Sequence, residues 1–258
     1  MNPQRQFIVG TSGYSFDDWV GTFYPPGTQK RDMFALYAQT FACVEINYTY
    51  YRLPTARTIA AIDRKSPDGF LFWVKANQET THKGNRTVAA EFLDALAPMR
   101  ESGKLAGVLL QFPQSFHRTI ATRKYLAGAV ADLAAVPLAV EFRHCSWQSP
   151  ETLAGLRERN VMLVVPDVPD IASLFHCPPT ATTGTGYVRL HSRDASKWYA
   201  SGADRYDYEY SDEELAELAR EWTELDEPAD KVFAFFNNCH AGQAADNAEA
   251  FRRIVESL

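Results

Sequence analysis

Eight short apolar runs, most of them closing on polar residues, constrain this chain more than any single motif does. They cover 7–14, 44–53, 70–77, 107–113, 138–144, 161–167, 186–192 and 232–238. Most are rich in Val, Ile, Leu, Phe and Tyr, as expected of parallel strands buried on both faces. Helical spacing appears between them. Phe34, Tyr37, Ala38 and Phe41 form one stripe, and Leu215, Leu218, Ala219 and Trp222 form another, extended by Leu225. Ser211 with Glu214 predicts a capping box, and Ser149 with Pro150 predicts another helix start. Ala244, Ala248, Phe251, Val255 and Leu258 share one face of a final helix.

Strands alternating with helical crossovers over 258 residues predict an α/β fold, a single (β/α)8 TIM barrel covering residues 1–258. The segment 170–175 is too short for a full helix, so the sixth crossover is expected to be irregular. Long connections follow strands, at 15–30, 79–86 and 193–210, whereas helix-to-strand connections such as 66–69 are short. That asymmetry places functional residues at the carboxyl face of the barrel. No linker, low-complexity tract or internal repeat divides the chain.

A composition of 46% hydrophobic and 22% charged residues suits a chain with a large core. The formal net charge of -6 argues against coating nucleic acid through bulk charge. The opening MNPQRQFIVG has no apolar h-region or small-residue cleavage site, and no apolar run approaches the roughly 20 residues of a membrane span. A cytoplasmic protein without membrane contact is expected. Cys43, Cys145, Cys177 and Cys239 are scattered without metal-type spacing and read as reduced thiols. Neither GxGxxG nor GxxxxGK occurs, so no organic cofactor is indicated; a metal stays open, as does the oligomeric state.

The motifs GTSGYSFDDWVGTFYP, VEINYTYYRLP, FLFWVKAN with Thr81-His82, LLQFPQSF, AVEFRHCSW, YVRLHS and FFNNCHAGQAADNA follow one another along the chain. In that order they resemble the DUF72 (YecE-like) family over essentially the whole length. Ser192 and Cys239 depart from the family's pattern. The resemblance implies a TIM barrel, in agreement with the strand count, and implies no particular reaction.

Polar residues at strand ends are the candidate chemistry. Glu45, Glu141 and Asp167 are candidate acid–base groups, since two carboxyls facing each other across a barrel mouth suit hydrolytic chemistry. His191, two residues beyond Arg189, joins them as a catalytic candidate. Arg52, Lys75, Arg143 and Arg189 lie on four strands and converge on one end, which suits a phosphate or carboxylate. Asn47, Asn77, His82 and Gln111 are further candidates for substrate contact. Asn237 and Asn238, before the last helix, extend that set. Among the aromatics, Tyr14, Tyr51, Trp147 and Tyr199 are candidates for stacking on a ligand, while Trp19 and Tyr24 anchor the first loop. Gly10, Ser12 and Gly13 suggest a strand end that lets backbone approach a ligand. By parity, Glu141 and Arg143 share a face, Phe142 packs, and His144 points away.

These groups predict an enzyme, a hydrolase first, acting on a small anionic or phosphorylated polar molecule. The same cations and aromatics suit a non-catalytic module for a nucleotide or nucleic-acid end. His and carboxylate ligands would suit a metal-dependent phosphodiester hydrolase.

Overall fold

The computed structural model describes residues 5–258. Strands β1 (Gln6–Thr11), β2 (Cys43–Ile46), β3 (Leu71–Lys75), β4 (Leu105–Gln111), β5 (Leu138–Glu141), β6 (Met162–Asp167), β7 (Thr185–Leu190) and β8 (Lys231–Phe236) pair in parallel, in the order β1-β8-β7-β6-β5-β4-β3-β2. This is the expected (β/α)8 barrel. The helices among the described residues are α1 (Lys30–Thr40), α2 (Tyr48–Tyr51), α3 (Ala56–Lys65), α4 (Gln78–Thr81), α5 (Ala89–Ala95), α6 (Ala97–Glu101), α7 (Ile120–Asp132), α8 (Pro150–Glu158), α9 (Asp212–Thr223) and α10 (Gln243–Ser257).

The barrel ring is not closed by a backbone ladder between β1 and β2; a side chain bridges that seam. The amide of Thr11 donates to the Tyr37 hydroxyl at 3.0 Å, and that hydroxyl donates to the carbonyl of Cys43 at 2.9 Å. Tyr37 is fully buried on α1. Gly10 serves the same closure: a Cβ there would stand 2.5 Å from the Cys43 carbonyl oxygen. Its missing side chain admits the neighbouring strand, not a ligand.

Strand alternation sorts the side chains into two layers. The inner layer packs Cys43, Trp73, Leu109, Ala139, Val164, Tyr187, Phe233 and Phe235 into one cluster inside the barrel. The outer faces pack against the helices, with Trp222 of α9 and Phe251 of α10 fully buried. Ser211 and Glu214 form the expected capping box, and Ser149 caps α8. Leu258 breaks from its predicted face; it is exposed beyond the end of α10.

All the strands but β6 stop earlier at their carboxyl ends than the apolar pattern predicts. After β2 the run Tyr48–Tyr51, β-prone in composition, forms the single turn α2. Tertiary bonding overrides propensity there: Thr49 donates its hydroxyl to the carbonyl of Lys75 at 2.6 Å, tying the turn to β3. The sixth crossover, between β6 and β7, contains no helix. Beside it a cavity of about 460 Å³ opens on the barrel flank, lined among others by Val165, Cys177, Leu218 and Trp222.

Candidate functional site

Continuing the inner layer by two residues on β2, β3, β5, β7 and β8 gives the polar floor of the carboxyl-end mouth. Cys43 leads to Glu45, Trp73 to Lys75, Ala139 to Glu141, Tyr187 to Arg189 and then His191, and Phe235 to Asn237.

Arg189 is the hub. Its Nη2 donates to Glu45 Oε1 at 2.7 Å, and its Nη1 donates to Glu141 Oε2. Arg189 is 2% exposed and both carboxylates are fully buried, so each charge depends on the others. Tyr187 donates its hydroxyl to Glu45 Oε2 at 2.6 Å. Burial and the Glu45 carboxylate hold that phenol well above its ordinary range. Burial alone would push Glu141 up, yet Arg143 and Arg189 outweigh it and hold the carboxyl well below the usual range. Glu141 is therefore a carboxylate at neutral pH.

Arg143 completes the cluster from just beyond β5. Its Nε lies 2.5 Å from Glu141 Oε1, off the hydrogen-bonding direction, so neither atom has an aligned partner. Its guanidinium stacks over the Trp198 ring at 5.3 Å. His191 Nε2 approaches Glu141 Oε1 at 3.2 Å, and Asn237 Nδ2 lies 2.9 Å from His191 Nδ1. Arg143 Nη2, which can only donate, lies 3.1 Å from His191 Nε2, so Arg143 and Asn237 both present donors to the one acceptor nitrogen of a neutral imidazole. Burial, then Arg143, lowers His191 well below the imidazole range and keeps it neutral.

Lys75 is the surplus cation. Among the described residues its Nζ has neither a hydrogen-bond nor an ion-pair partner, and it rests 4.6 Å from the centre of the Tyr50 ring. Burial, then the Arg189 charge, pushes it down to about 7, despite the opposing pull of Glu141 and Glu45. His82 stacks edge-on against the same Tyr50 at 4.9 Å and shares its hydrogen with, or accepts one from, the Thr81 hydroxyl at 2.8 Å. The mouth thus sets Lys75, Arg143 and Arg189 against two carboxylates.

Several candidates lie elsewhere. Asp167 follows Val165 on the outward face of β6, because Val164 belongs to the inner layer. It pairs with Arg193 at 3.1 Å and accepts from Tyr210 at 2.6 Å, under α9 and beside the flank cavity. Trp147 is sandwiched between Phe116 and Phe142 and donates its indole nitrogen to the Phe116 carbonyl. Tyr14 packs on Phe34 and Tyr37. Asn77 caps α4 and donates to the carbonyl of Thr49. Gln111 donates to the Phe112 carbonyl, and Asn238 Nδ2 donates to Tyr208 and Asn247 while its Oδ1 has no partner. Arg52 and Tyr51 are exposed, and Tyr199 is exposed where it meets Gln114. Asn47 is half-buried, its Oδ1 without a partner.

Other expectations match the geometry. Phe142 packs against Trp147, and His144 points away to stack on His117. Trp19 and Tyr24 anchor the first loop, Trp19 through a bond to the Cys239 carbonyl at 2.8 Å. All four cysteines are free, and burial pushes the Cys43 and Cys239 thiols up, away from reactivity.

One contributor escapes sequence reasoning. Tyr187 lies inside a strand that reads as plain core, and only its parity with Arg189 marks it. Trp198 and Tyr50 reach the mouth from loop or one-turn segments that strand periodicity does not order. Among the described residues no group of three or more His, Cys, Asp or Glu side chains is arranged to hold a metal ion. No helix among them is long and apolar enough to cross a membrane.

A parallel eight-stranded barrel with a buried ion-pair floor at its carboxyl end defines the class of protein. The family model described as "Protein of unknown function DUF72" matches residues 8–258, and the chain belongs to that family. It is 30% identical to the UPF0759 protein YunF of Bacillus subtilis over 270 residues, covering 96% of this chain and 94% of the relative. A DUF72 family protein from Thermotoga maritima superposes with a TM-score of 0.90 at 37% identity, covering 98% of this chain and 100% of that one. One from Enterococcus faecalis gives 0.86 at 27% identity, covering 97% and 96%.

Proposed function

We propose that this protein is an enzyme acting on a small anionic molecule at the carboxyl-end mouth of the barrel. One observation carries the reading: three cations meet two carboxylates there, and Lys75 is left without a partner. A desolvated surplus cation is unfavourable alone and becomes favourable when an anion joins it. Arg189 is occupied by its two carboxylates, so Lys75 and the outer edge of Arg143 are the groups that receive the anion.

Glu141, ionised and lacking an aligned donor on Oε1, is the base, with His191 and Asn237 orienting it. Acid-assisted hydrolysis by a carboxyl pair needs one member protonated. An ionised Glu141 fits proton abstraction, as in isomerase or lyase chemistry, better than the hydrolase role.

Thermal unfolding with and without inorganic phosphate, sulfate or small carboxylates tests the reading. Stabilisation by an anion near neutral pH, lost in Lys75→Met, is expected. The absence of any such stabilisation in the unaltered protein would overturn it.

A further inference from the structure

We propose that Lys75 forms a Schiff base with the carbonyl carbon of an anionic aldehyde or ketone, such as a 2-oxo acid or a phosphorylated ketose fragment. The inference rests on the anion reading above and names the substrate class of the same site.

Four features of the mouth converge on that amine. Lys75 ends β3 on the inward side, two residues beyond the inner-layer Trp73, and is half-buried at the mouth. The two carboxylates that would otherwise hold an ammonium are both engaged by Arg189. The Tyr50 ring centre lies 4.6 Å from Nζ and contributes only a cation–π contact, which an incoming carbonyl carbon can replace. Arg143 stands over Trp198 with Nε and Nη2 against Glu141 and His191, and among the described residues its Nη1 has no partner and is left for the substrate's anionic group. Burial and neighbouring guanidinium groups also keep a large fraction of the amine neutral near pH 7. An uncharged lysine amine is the species that attacks a carbonyl.

The reaction balances without an oxidant or reductant. The Nζ lone pair forms the C–N bond as the carbonyl π pair moves to oxygen, which takes a proton while nitrogen releases one. The resulting hydroxyl leaves as water, carrying a second proton, and the nitrogen pair forms C=N. Amine, carbonyl compound and one proton give an iminium ion and water. Glu141 and His191 hold and move these protons; the iminium then withdraws electrons from the adjacent carbon, where an ionised Glu141 abstracts a proton.

Reductive trapping tests this. The full chain is incubated near neutral pH with pyruvate or dihydroxyacetone phosphate, treated with sodium cyanoborohydride, digested and mapped by mass spectrometry. Lactate and glycerol phosphate serve as the matched anions without a carbonyl. A single reduced adduct on the Lys75 peptide is expected, with at least a tenfold loss in Lys75→Arg. That variant keeps the charge and should retain stabilisation by lactate or glycerol phosphate. An adduct whose yield is unchanged in Lys75→Arg overturns the proposal. So does anion stabilisation without an adduct, which leaves the anion reading intact. Failure of all four compounds to stabilise or label the protein removes both.

Discussion

Arg189 on β7 reaches across the barrel to Glu45 on β2 at 2.7 Å, while its second terminal nitrogen is bonded to Glu141 on β5. One guanidinium therefore bridges two fully buried carboxylates from separate parts of the wall, with Arg143 as the second cation on Glu141. It braces the floor, and its charge is not available to a ligand.

Replacing Arg189 by Met should leave Glu45 without a counter-ion and Glu141 with Arg143 alone, and cost about 3–5 kcal/mol of stability, the range for breaking a buried pair. Lys at the same position should rescue little, because a single ammonium does not reproduce a fork held by two acceptors. Urea unfolding of both variants checks this; a loss under about 1 kcal/mol for Met would contradict the brace.

Lys75 makes stability rise with pH in a defined window. Its folded value is pushed down to about 7 from an ordinary 10.5 by burial and then by Arg189. Between those two values the unfolded chain binds the extra proton, so raising pH favours the fold. Below about 7 both states are protonated and the fold bears the whole cost of the buried charge. Lys75→Met should therefore stabilise most in mildly acidic solution and progressively less towards pH 10.5. Denaturation curves across that range would show the two proteins converging.

Tyr37→Phe removes the hydroxyl that closes the β1–β2 seam and orphans the Thr11 amide and the Cys43 carbonyl. A cost of about 1–3 kcal/mol is expected for buried groups left unpaired. Hydrogen exchange should quicken at Thr11 before it does at the paired centre of β7.

Trp147→Ala should behave as a core deletion, losing about 3–5 kcal/mol. Trp198→Ala, which removes the surface under Arg143, should weaken anion stabilisation in addition to costing core packing, since Trp198 is buried with Val168 and Leu174. Comparing thermal midpoints with and without phosphate separates the two tryptophans.

Much of the mouth follows from period two alone. Glu45, Lys75, Glu141, Arg189, His191 and Asn237 each stand two residues, or four, beyond an inner-core residue. Asp167 fails the same rule, since the inward position on β6 is Pro166, and its acidity at a strand end gave no hint of that. Arg143 lies beyond the observed end of β5, yet it reaches the side that alternation assigns it. Tyr14, Trp147 and Asn77 were harder to place. Their polar or aromatic character suits ligands and loop packing equally, and only tertiary neighbours decide. Tyr50 illustrates the limit: a β-prone tetrad became a helical turn because Thr49 found a partner on the next strand.

The span of the Glu45–Arg189 contact, 144 residues, also governs how the protein is assembled. Loop-closure entropy delays such a pairing until the intervening chain is largely in place. Before β7 docks, Glu45 lacks its guanidinium partner and Glu141 has Arg143 alone, so burying the floor early carries a desolvation cost. The Glu45–Arg189 contact is therefore expected to form late in folding.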